Sequence, residues 1–102
     1  MKYRMDGDKV VGDGGRVVAC WNPSTKRILD GGHMSKIDVI QQGSVWIFHG
    51  RNAAGQQVAN ELRDGKIKST NGKELITLKD AKTEFAHPDD RAAAGFWLYL
   101  ET

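Results

Sequence analysis

The chain has 102 residues, a hydrophobic fraction of 39% and a formal net charge of +2. At that length it is one domain, residues 1–102, able to bury about two thirds of its unfolded surface, and three Trp with three Phe exclude a disordered chain. A surplus drawn from 15 basic and 13 acidic residues is too small to require a polyanionic partner.

Taken in chain order, Met1–Asp6 has no apolar core and does not read as a signal peptide. Turn clusters at Asp6-Gly7-Asp8 and Gly12-Asp13-Gly14-Gly15 flank Val10-Val11 and predict a hairpin. Arg16–Trp21 is β-branched and nearly all apolar, a strand expected to be buried on both faces. Asn22-Pro23-Ser24-Thr25 turns the chain into a short strand around Ile28-Leu29, closed by Gly31-Gly32. In Lys36–Ile40, Ile37 and Val39 alternate with Lys36, Asp38 and Ile40, the pattern of a half-exposed strand. Val45–His49 is the most apolar middle segment and is assigned to a central strand.

Residues 51–63 satisfy two patterns. Ala54, Val58, Ala59 and Leu62 fall at helical spacing, with Asp64-Gly65 available as a stop; Gly55 interrupts that pattern and favours a strand. Asp64-Gly65 and Asn71-Gly72 then bracket Lys66–Ser69, and with Lys73–Thr77 they make the clearest hairpin. Thr77-Leu78-Lys79-Asp80 has the form of a capping box, so a helix is expected from about residue 78 to 86. Pro88-Asp89-Asp90 starts a second helical stretch that Gly95 is expected to stop. Phe96–Glu101 then closes the chain as a strand apolar on both faces, which implies that it is covered on two sides or that one side meets another subunit.

A short unit recurs: Gly15-Arg16-Val17-Val18-Ala19, Gly55-Gln56-Gln57-Val58-Ala59 and Gly72-Lys73-Glu74-Leu75-Ile76. With the continuation Asp64-Gly65-Lys66-Ile67, the string from Gly55 to Lys73 resembles the small bacterial repeat domains described as a four-fold β-flower. The resemblance covers about a third of the chain; residues 22–54 depart from it in spacing and those after Thr77 depart altogether. It implies fold, a strand over residues 56–62 included, and carries over no functional residue.

Chemistry is sparsely encoded. Cys20 is the only cysteine, so no intrachain disulfide forms, and its apolar surroundings make it a buried small hydrophobe in a reducing compartment. His33, His49 and His87 match no metal-ligand spacing; a site would have to be assembled in space, for example from His33, His49 and Asp30. Gly12–Arg16 is glycine-rich but lacks the Lys-Ser/Thr of a phosphate loop and precedes a strand. Ser35 and Ser44 sit in no nucleophile elbow, and Asp89-Asp90 is explained by a helix start. No cofactor and no enzymatic activity are expected. No apolar run is long enough to span a bilayer, and the chain is expected to be cytoplasmic.

The sequence thus predicts an α+β domain, mainly antiparallel β-hairpins with a short helical segment near the C-terminus. The expected role is a protein-interaction module of bacterial or phage type, a homo-oligomer or a small inhibitor docking on a larger protein. Its contact would be the terminal strand through Phe96, Trp97, Leu98 and Tyr99, since aromatics beyond the needs of a small core tend to lie at interfaces. The alternative is single-stranded nucleic acid held by Arg51, Arg63, Lys66, Lys68 and Lys73.

Overall fold

The computed structural model describes residues 3–102; Met1 and Lys2, part of the N-terminal reading above, lie outside the described residues. Nine strands follow in order: β1 (Arg4–Asp6), β2 (Lys9–Val11), β3 (Val17–Asn22), β4 (Arg27–Asp30), β5 (Ser35–Gln42), β6 (Val45–Arg51), β7 (Gln57–Arg63), β8 (Lys66–Ser69) and β9 (Glu74–Thr77). Helices α1 (Leu78–Glu84) and α2 (Asp90–Leu100) complete the chain. Each strand pairs antiparallel with the next, so the sheet is a nine-stranded meander in sequence order.

Local chemistry explains the meander. Asp64 and Gly65 both adopt positive φ, 52° and 73°, the geometry that lets a two-residue turn follow the twist of β7 and β8. The contested segment is a strand: Val58 and Leu62 are buried one face apart from exposed Gln57 and Arg63. Thr77 caps α1 by accepting from the Asp80 amide at 3.2 Å, as the sequence predicts.

The C-terminus departs from expectation. Phe96–Leu100 is helical, Gly95 lies within α2, and Pro88 lies outside it, with Asp89 as the N-cap. The physical reason is the burial of α2 on nearly every side. Ala92, Ala93, Ala94, Gly95, Phe96, Leu98 and Tyr99 are all buried, so its apolar residues show no helical period to read. Gly95 is retained for close approach: a Cβ there would stand 2.7 Å from Cδ1 and Cγ1 of Ile28 on β4. The docking edge expected at residues 96–99 therefore does not form. Phe96, Leu98 and Tyr99 point into the core, and only Trp97 is half-buried.

The core lies between the helices and one face of the sheet. Ile28, Ile37, Phe48, Val58 and Ile67 meet Phe85, Phe96 and Leu98 there. Tyr3 stacks on Phe85 at 5.6 Å between centroids, bringing the start of the sheet onto the end of α1. A polar clamp fixes the other end of α2. Buried Asn52 donates from Nδ2 to the Thr102 carbonyl at 2.9 Å and accepts from the Gln56 amide at 2.8 Å, while the Ala53 amide donates to the Tyr99 carbonyl.

Candidate docking face

Alternation divides the sheet sharply. Ile37, Val39 and Phe48 point to the helices, so the intervening positions point away from them. Across the strands this outer face reads in rows. One runs Arg27, Asp38, His49, Ala59. The next runs Ile40, Ile47, Glu61, Lys68, Glu74. Ile40 and Ile47 are direct cross-strand partners on the two longest neighbouring strands. Ile40 is 49% exposed and Ile47 half-buried, on a face that neither helix covers.

Around that aliphatic pair the charges are ordered. Arg27 Nε stands 2.8 Å from Asp38 Oδ1, off the N–H axis, so the contact is ionic and not a hydrogen bond. Arg63 pairs with Glu61 at 3.6 Å and Lys66 with Glu74 at 3.5 Å. With these side chains up to half exposed, each pair contributes no more than about 1 kcal/mol. Charge is also partitioned between layers. Residues 3–77, which carry the strands and their turns, hold eleven basic and eight acidic side chains, whereas residues 78–102 hold three and five.

The structure brings part of the expected basic group together. Arg63, Lys66 and Lys68 project from the outer face of β7 and β8. Arg51 instead donates to the Gly55 carbonyl at 2.9 Å, and Lys73 sits in the β8–β9 turn. The large aromatic rings are elsewhere: Trp21, Phe48, Phe85 and Phe96 belong to the core on the opposite side.

Trp46 marks where the helical layer stops short. It lines an open hollow of about 540 Å³ with Pro88, Asp89, Asp90 and Arg91. The Arg91 guanidinium lies over Trp46 at 4.5 Å and Trp21 at 5.6 Å and binds both oxygens of Asp89. Arg91 holds the Asp89 carboxyl below its ordinary range, and Asp89 in turn raises Arg91. The pair anchors the start of α2 to the sheet.

Other reactive groups are dispersed or occupied. The turn after β4 carries His33 to 3.8 Å from the Cys20 sulfur, a proximity that separation in sequence conceals. Burial pushes the Cys20 thiol up, which disfavours the thiolate. Asp30 accepts from the Met34 and Gly32 amides, and these bonds, Met34's first, hold it below the usual carboxylate range. His33, His49 and Asp30 form no metal-holding group. Among the described residues no group of three or more His, Cys, Asp or Glu is placed to hold a metal ion. Among them, too, no hydrogen bond joins Ser35 or Ser44 to a histidine. Among the described residues no helix is long and apolar enough to cross a membrane.

The exposed isoleucine was legible in sequence, because Ile40 falls out of phase with Ile37 and Val39. Its partner Ile47 was not, since it lies inside a run that is apolar throughout. The chain matches no family model, no curated protein and no solved structure.

Proposed function

We propose that this chain is a non-enzymatic interaction module that docks on another protein through the outer face of its sheet. One observation carries the reading: Ile40, half exposed, meets Ile47 across β5 and β6, central strands of the sheet, on a face left open by both helices. Exposed aliphatic side chains ringed by charge have the composition of a contact patch, an apolar centre with a polar rim. A disfavoured thiolate and scattered histidines support a role without bond-making.

Nucleic acid is the second reading, favoured by the placement of Arg63, Lys66 and Lys68 on one face. Against it, Asp38, Glu61 and Glu74 interrupt that face and the large aromatic rings needed for base stacking lie on the other side.

The test compares affinity capture by the wild-type chain with capture by an Ile40→Ser/Ile47→Ser variant, whose fold is checked by thermal unfolding. The proposal expects a stoichiometric protein partner that the variant loses and a Lys79→Gln control on α1 keeps. Equal capture by all three contradicts it.

A further inference from the structure

We infer that the partner of this face is an acidic protein surface presenting an apolar side chain to Ile40 and Ile47, and not a second copy of the chain; this rests on the docking reading above. The charge partition carries it. The described residues of the sheet layer, 3–77, have a surplus of three basic side chains, eleven against eight, and residues 78–102 an acidic surplus of two, five against three. On the outer face, each acid of the central rows already faces a cation of the same chain: Asp38 has Arg27, Glu61 has Arg63 and Glu74 has Lys66. Lys68, placed in register between Glu61 and Glu74, adds a further cation to the row that holds the aliphatic pair. Two such faces meeting would oppose like surpluses, which disfavours self-docking. An acidic partner gains attraction over the whole face while its apolar side chain covers Ile40. A nucleic acid gains the same attraction but leaves the isoleucines without an apolar contact.

The experiment selects a random 12-residue peptide library on the immobilised full chain, then measures the enriched peptides by calorimetry and maps them by amide chemical shifts. Oligo-dT is the competing probe. The inference expects net-negative peptides with an aliphatic or aromatic anchor, shifting amides of β5–β8. Their affinity should fall about tenfold in an Arg63→Gln/Lys66→Gln/Lys68→Gln variant, the sum of exposed charge contacts each worth up to about 1 kcal/mol. A Lys79→Gln/Lys82→Gln control should leave it unchanged. Neutral or basic peptides on the same face overturn the acidic partner while leaving the docking face intact. Peptides mapping to the helices, or no binder at all, overturn both. Oligo-dT that binds the face and displaces the peptides overturns the protein partner in favour of nucleic acid. Concentration-dependent self-association that shifts the β5–β8 amides contradicts the exclusion of a second copy.

Discussion

Ile37 and Ile40 stand three residues apart on β5, one wholly buried and the other half exposed. In α2, by contrast, five consecutive residues from Ala92 to Phe96 are all wholly buried or nearly so. A strand within an open sheet divides its side chains between holding the fold and meeting other molecules. A helix enclosed on nearly all sides has no such division, and all it can do is hold. That difference locates stability in the α2–sheet interface and leaves the outer face free to change with little effect on folding.

Substitutions on the two sides should therefore separate by several kcal/mol. The largest loss is expected at Phe48, fully buried opposite α2. Phe48→Ala should cost about 3–5 kcal/mol in urea unfolding, the range for large aromatic truncations in a core. Gly95→Ala comes next, and its sign is diagnostic. Alanine gains about 1 kcal/mol of helix propensity over glycine, but overpacking a core costs about 1–3 kcal/mol. Because the new Cβ would fall 2.7 Å from the wholly buried Ile28, the net change should be destabilising, read as a lowered melting temperature. A stabilised variant would show that α2 sits less tightly on β4 than described.

Asn52→Ala should cost about 1–3 kcal/mol, because the Gln56 amide loses its side-chain acceptor and the last residues lose their tie to the β6–β7 turn. Asp89→Ala removes the N-cap of α2 at about 1 kcal/mol and adds a pH signature. Arg91 depresses the Asp89 carboxyl in the folded chain. Its contribution is thus complete above the ordinary carboxylate pKa of 3.8 and is lost as pH falls through the depressed folded value. The gap between wild type and variant should be constant near neutrality and close in acid. Smallest of all, Ile40→Ser should change stability by no more than about 0.5 kcal/mol, as exposed positions do.

How far the sequence could be read follows the same division. Wherever a strand has one open face, alternation or turn chemistry announces it: Ile37, Val39 and Ile40 on β5, and Asp64-Gly65 between β7 and β8. Residues 57–63, where helical spacing competes, are a strand by their pairing with β6 and β8, since Val58 and Leu62 would share a face in either geometry. The end of α2 defeats such reading, since Phe96, Leu98 and Leu100 alternate as a strand would and enclosure erases the helical period. A glycine taken as a stop is in fact a contact surface for Ile28. The candidate site was half visible. Ile40 and the basic residues at 63, 66 and 68 could be named, but their common face depends on a register that joins four strands. The Cys20–His33 approach and the Arg91–Trp46 stack are products of folding alone.

Isoleucine methyl spectroscopy tests the central claim most directly, because the chain's six isoleucines sample both faces of the sheet. A soluble paramagnetic agent should broaden the Ile40 and Ile47 methyl signals and spare Ile28, Ile37 and Ile67; a bound partner should then shift and shield the same two. Shifts confined to Ile28, Ile37 and Ile67, or shielding that leaves Ile40 and Ile47 untouched, would contradict the division of labour between the two faces.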